Sequence, residues 1–184
     1  MISYNNINSG RSRNENVTNL CQQYEDRDRY IATRCLEEAF KGYEVNFTGT
    51  DLTCPVDLVG TVSDGNVAGK FNVEVKERNK SPEYLKKYPT AELRVDKAKR
   101  MASVTPPGTV CLYIVLLNDE TGYIYNLSCM DWSKVSVFDW RIKKTQVDST
   151  SGYEVYPTYA IPMDLAVRKI DIRDYIQEWN NSLK

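Results

Sequence analysis

The sequence predicts an α/β protein with a mixed central sheet of about four or more strands, flanked by helices. Three observations predict it. Helical and extended patterns alternate along the chain in the order helix, strands, helix, strands. Val110 to Leu117 is continuously apolar and rich in β-branched residues, the mark of a central strand covered on both faces. Phe71, Val73 and Val75 alternate with Asn72, Glu74, Lys76 and Arg78, the period of a strand with one buried face. The length, 184 residues, suits one domain over residues 18–184. Residues 1–17 are rich in Asn, Ser and Arg and read as a flexible N-terminal arm.

The first helix is expected from Thr18 to Lys41. Leu20, Tyr24, Ile31, Cys35, Leu36, Ala39 and Phe40 recur near a 3.6-residue period, and Gly42 supplies a stop. Tyr43 to Phe47 reads as a short strand, followed by a turn at Thr48 to Asp51. Val56 to Val62 is a second strand, turned back by Ser63-Asp64-Gly65-Asn66 into a third, Lys70 to Arg78. A loop carrying Pro82 and Pro89 follows. Thr90 then suits the N-cap of a helix from Ala91 to Val104, with Val95, Ala98, Met101 and Ala102 as its buried stripe. Pro106-Pro107-Gly108 ends that helix. The Val110 strand comes next, and Gly122 opens another over Tyr123 to Cys129. Short segments then lead to a closing helix, Asp171 to Trp179, with Asp171 and Asp174 as a capping pair.

Composition narrows the function. The chain has no histidine, so a Ser-His-Asp triad, a Cys-His pair, a His-ligated zinc and a histidine base are all excluded. Hydrolysis would have to rest on carboxylates, lysine, tyrosine or a carboxylate-bound Mg²⁺ or Mn²⁺. The five cysteines are odd in number and irregularly spaced, as suits free thiols in a reducing compartment. No tight cysteine cluster exists for an iron–sulfur centre. No stretch is long and apolar enough to span a membrane, and no apolar leader opens the chain, so a cytoplasmic protein is expected. The net charge is only −1, but Lys76 to Arg100 holds nine basic residues against four acidic ones. Such a segment suits a polyanionic partner, although a charge run is more often a solvated surface.

The chemistry concentrates in two short motifs, Pro55-Val56-Asp57 and Glu74-Val75-Lys76. The second is the only acidic-x-Lys tripeptide in the chain. Strand alternation puts Glu74 and Lys76 on one face. Asp57 and Glu74 on adjacent strands could hold a hard cation, with the Val75 carbonyl as a third oxygen. Lys76 would face the same space and act on the attacking water. Arg78 continues this face, and Lys97, Lys99 and Arg100 follow on the second helix as nucleic-acid contacts. Tyr84 and Tyr88 could stack on bases or merely seal their loop. Taken singly, each carboxylate could equally be part of a solvated strand face.

Together these residues and the order of elements resemble the PD-(D/E)XK nuclease superfamily, which includes restriction enzymes, Holliday-junction resolvases and many phage nucleases. The resemblance covers about residues 25–130. It implies a restriction-endonuclease-like fold and a Mg²⁺- or Mn²⁺-dependent endonuclease acting on DNA. It also implies Asp57 and Glu74 as metal ligands, Lys76 as the catalytic lysine, and a homodimer as in many relatives. Val56 separates the proline from the aspartate, a departure without chemical consequence. An acidic residue from the first helix often joins such sites. Glu25, Asp28 and Glu38 are the candidates, with Asp28 on the same face as Cys35 and Leu36. The alternatives are a catalytically silent nucleic-acid-binding module of the same fold, and an α/β domain whose carboxylates are structural.

Overall fold

The structure, a computed structural model, describes residues 15–51, 54–118, 120–143 and 153–183. Its first element, α1 (Glu15–Ala39), starts three residues before the expected Thr18, inside the stretch read as an arm. The rest of that arm lies outside the described residues. Next come β1 (Glu44–Gly49), β2 (Leu58–Ser63) and β3 (Ala68–Arg78), antiparallel neighbours in that order. Thr48 and Gly49 therefore extend β1 instead of turning. The turn between β2 and β3 forms as the sequence indicates. Asp64 Oδ1 accepts from the Asn66 and Val67 amides, and Gly65 takes a φ of 91°.

The chain then crosses over to lay β5 (Thr109–Leu117) parallel to β3. The antiparallel strands β6 (Thr121–Asn126) and β9 (Arg168–Asp171) complete a mixed six-stranded sheet of order β1-β2-β3-β5-β6-β9. The run from Cys111 to Leu117 is buried throughout, and its alternation feeds two cores. Leu112, Ile114 and Leu116 pack with Ile31, Cys35 and Leu36 of α1, while α4 (Arg173–Ser182) adds Tyr175 and Ile176. Cys111, Tyr113, Val115 and Leu117 pack on the other face against Leu93, Met101 and Ile161.

The crossover departs from expectation. Ser81 accepts from the Tyr84 amide and caps α2 (Pro82–Lys87), where a loop was expected. Thr90 is no N-cap: it begins a strand, β4 (Thr90–Arg94), and α3 runs only over Val95–Val104. Ala91-Glu92-Leu93-Arg94 consists of good helix formers, but pairing with β8 (Tyr153–Pro162) overrides that local preference. β8 also pairs with β7 (Ser136–Lys143), giving a second sheet of order β4-β8-β7. This sheet is a departure from the single sheet expected. Of the expected stripe of α3, Met101 is fully buried, whereas Ala102 is exposed. α4 likewise begins two residues later than expected, with the Asp171 carboxylate accepting from the Arg173 amide.

One glycine holds β1 against β2. A Cβ at Gly60 would stand 2.2 Å from the Asn46 carbonyl and 2.6 Å from the Phe47 ring. Backbone cannot yield as a flexible side chain does, so Gly60→Ala should destabilise by about 1–3 kcal/mol or more, read as a lower melting temperature.

Candidate active site

Asp57 sits one residue before β2, where Leu58 is paired with Val73, and so lies beside Glu74 of β3. Three hydrogen bonds fix its position. Its amide donates to the Val73 carbonyl (2.8 Å) and its carbonyl accepts from the Thr50 amide (3.0 Å). Its Oδ2 accepts from the Val75 amide (2.7 Å). In a strand the N–H and C=O of one residue share an edge, so the Val75 carbonyl faces the same edge as Asp57. The preceding Val56 is buried at 2%, which anchors the segment in the second core.

Glu74 is buried, at 6% exposure, on the β3 face that also carries Lys76 and Arg78. Burial, then the neighbouring Asp57 carboxylate, push its carboxyl up to about 8 despite the opposing charge of Lys97. Lys97 Nζ of α3 lies 2.9 Å from Glu74 Oε2. The ammonium therefore covers the Oε2 side of the carboxyl. Lys76 is exposed at the same opening.

The opening is a cleft of about 180 Å³ between β3, β4 and α3. Five cations line it (Lys76, Arg78, Arg94, Lys97 and Arg100) against the two carboxylates Glu74 and Glu92. Arg78 donates to the Glu92 carbonyl (2.8 Å), and Lys80 Nζ pairs with the Glu92 carboxylate (2.9 Å). Tyr113, wholly buried, donates its hydroxyl to the same carbonyl (2.7 Å). Glu92 thereby ties the basic floor of β3 to the second sheet.

The structure thus brings Asp57, Glu74, Lys76, Arg78, Lys97 and Arg100 to one place. Lys99 is exposed and does not line the cleft. Asp28 lies elsewhere, under α1 on the opposite face of the sheet. It shares a second cleft, of about 240 Å³, with Arg27, Glu77 and Asn118. Burial, then Glu77, raise its carboxyl to about 7, and Asp57 and Lys76 are near enough to contribute opposing smaller effects. Among the described residues no three carboxylate, cysteine or histidine side chains gather as one ligand group, so Asp28 does not join Asp57 and Glu74 directly. Of the other helix acids, Glu25 is exposed and Glu38 accepts from the Tyr175 hydroxyl. Tyr84 and Tyr88 pack on each other, with centroids 5.1 Å apart, and both stay exposed.

No protein-family profile and no curated protein matches this chain. A solved structure does. The chain is similar to Hjc, a Holliday junction resolvase from the archaeal hyperthermophile Archaeoglobus fulgidus. The identity is 13% and the TM-score 0.37, over 77% of this chain and 96% of that one. At this distance the chemistry of the cleft has to stand on its own residues.

Three features here depend on the tertiary fold. Lys97 is the partner of Glu74 and not a free phosphate contact. Glu92 was hidden inside an expected helix. The aromatic side chains of β7 and β8 were left among short segments, although Phe138 and Trp140 alternate at strand spacing. Among the described residues no helix is long and apolar enough to cross a membrane. Among the described residues Cys35, Cys54, Cys111 and Cys129 are free thiols.

Proposed function

We propose that the protein is a DNA endonuclease of the PD-(D/E)XK type, dependent on Mg²⁺ or Mn²⁺ and acting through Asp57, Glu74 and Lys76. The observation that carries this reading is the Asp57 carboxylate set beside Glu74, whose carboxyl lines a cationic cleft. The donors fit the ion. Both are hard oxygen ligands, and Mg²⁺ is commonly held by one or two carboxylates while it keeps several waters. A bound ion would take the Glu74 Oε2 position from the Lys97 ammonium, now 2.9 Å away, and the Val75 carbonyl shares the edge.

A bound divalent ion would neutralise charge on the scissile phosphate and make its water more acidic. The rest falls to the chain. The Val75 amide orients the Asp57 carboxylate. Lys76 holds the attacking water or helps remove its proton. Arg78 and Arg100 hold flanking phosphates, and Lys97 sits against Glu74 when no ion is bound.

One observation favours the second reading, a binding module that does not cut: Lys97 already stands 2.9 Å from Glu74, where an ion would bind. A single experiment separates the two. The protein is incubated with supercoiled plasmid, linear duplex, single-stranded and branched DNA in Mg²⁺, in Mn²⁺ and in EDTA. Cleavage with either metal and none in EDTA is expected. Binding to DNA without cleavage under all three conditions establishes the silent module instead.

A further inference from the structure

The second sheet has two unlike faces. Ala91, Leu93, Tyr159 and Ile161 enter the second core. On the other face, strand register sets Trp140 directly across from Tyr156, and Phe138 across from Thr158, which is itself opposite Arg94. Phe138 and Trp140 lie 6.0 Å apart, centroid to centroid, and Phe138 is 40% exposed. Cations stand over the other two rings. Lys80 Nζ is 4.9 Å and Arg78 Cζ 5.8 Å from the centre of Trp140, and Arg94 Cζ is 3.8 Å from that of Tyr156. Arg78 and Arg94 also line the cleft of Glu74 and Lys76. An aromatic wall studded with cations therefore leads directly into the candidate active site.

The geometry points to single-stranded DNA as the occupant of this wall. Unpaired bases would stack on the exposed Phe138 and, by exchanging places with the cations now over them, on Trp140 and Tyr156, while those cations, Lys80 released from Glu92 and Arg94 from Asp96, meet the phosphates that lead into the cleft. The choice of DNA, and of the cleft as destination, rests on the nuclease reading. The choice of an unpaired strand rests on the rings. A duplex presents phosphates but keeps its base faces stacked inside the helix, so it could use only the cations. A strand with free bases uses both, and the combination of basic groove and aromatic platform is how proteins grip one without reading its sequence. Charge agrees in the cleft, where five cations face two carboxylates, whereas along the wall Lys80 is paired with Glu92, Arg94 with Asp96, and Tyr156 donates to Glu154. The substrate class this implies is DNA with an unpaired segment next to the scissile bond.

Fluorescence anisotropy with the full chain in EDTA tests this, using labelled oligomers of about 15 nucleotides. Wild type should bind mixed-sequence single strands at least about tenfold tighter than a blunt duplex or an abasic oligomer of equal length. Trp140→Ala should weaken single-strand binding about 5- to 100-fold while leaving duplex binding within about twofold, and Trp140→Tyr should keep most of the affinity. Phe138→Ala, at an exposed position, should act in the same direction if Trp140→Ala fails to fold. Equal affinity of wild type for single strand and duplex overturns the proposal, as does an equal loss on both ligands in the alanine variants. RNA bound about tenfold tighter than DNA overturns the choice of DNA. Because cleavage is not read and no metal is present, failure of the nuclease reading would show in the plasmid experiment and not in this one.

Discussion

Glu74→Gln should slow metal-dependent cleavage by about a thousandfold or more while leaving the protein folded. The substitution keeps the shape of a side chain that is 6% exposed but removes the charge that would hold the ion. It also leaves Lys97 facing a neutral amide across about the present 2.9 Å, a loss softened by the partial exposure of Lys97. Asp57→Asn should lose activity to a similar degree, since its Oδ2 is also the acceptor that the Val75 amide requires. Lys76→Ala should behave differently. Lys76 is exposed and supplies no ligand, so cleavage should fall about 10²- to 10⁴-fold with Mn²⁺ still bound, as calorimetry would show. If both carboxylate variants cut at the wild-type rate, Asp57 and Glu74 are structural. If Lys76→Ala loses the metal together with activity, the lysine organises the site and does no chemistry.

The difference between these variants follows from what was legible in the sequence. Period-two alternation over Phe71 to Arg78 was enough to place Glu74 and Lys76 on one face of one strand, and the structure keeps them there. The unbroken apolar run at Val110 likewise announced a strand with cores on both faces, as Tyr113 and Ile114 on opposite sides of β5 demonstrate. Such signals survive because they are local: each depends only on which way successive side chains point. The failures are nonlocal. Ala91 to Arg94 prefers a helix by composition and becomes a strand because β8, some 60 residues on, offers an edge to pair with. Lys97 looked like a free cation because only the tertiary fold brings α3 over β3 and sets its amine against Glu74. Asp28 shared a helical face with Cys35 and Leu36, yet that face covers the side of the sheet away from Glu74. A helix period tells which residues turn inward, and it does not tell which face of the sheet receives them.

Two buried carboxyls give the metal-free protein an unusual dependence on pH. Without metal, the protein should lose stability as pH rises from about 5 towards 8, and saturating Mn²⁺ should reverse part of that loss. Glu74 moves from an ordinary 4.5 up to about 8, and Asp28 from 3.8 up to about 7, burial being the main cause in both. A carboxyl raised in the folded state binds its proton more tightly there than in the unfolded chain. Its protonation therefore stabilises the fold fully below the unfolded value, and that contribution fades as pH climbs through the folded value. Within the window each group sets a slope approaching about 1.4 kcal/mol per pH unit. Each kcal/mol is worth roughly 2–4 °C of melting temperature in a chain of this size. Glu74→Gln should flatten one share of the slope and Asp28→Asn the other, so the two variants report on opposite faces of the sheet. Divalent metal favours the ionised form of Glu74 and should stabilise by about 2.7 kcal/mol at a hundredfold excess over its dissociation constant. It should leave most of the Asp28 share in place, because Asp28 is not in one ligand group with Asp57 and Glu74. Melting curves in EDTA at pH 5.5, 7 and 8.5, repeated with excess Mn²⁺, decide both points. A flat profile in EDTA would mean that neither carboxyl titrates as its burial demands. A sloping profile that Mn²⁺ leaves unchanged would keep the buried acids and remove the metal.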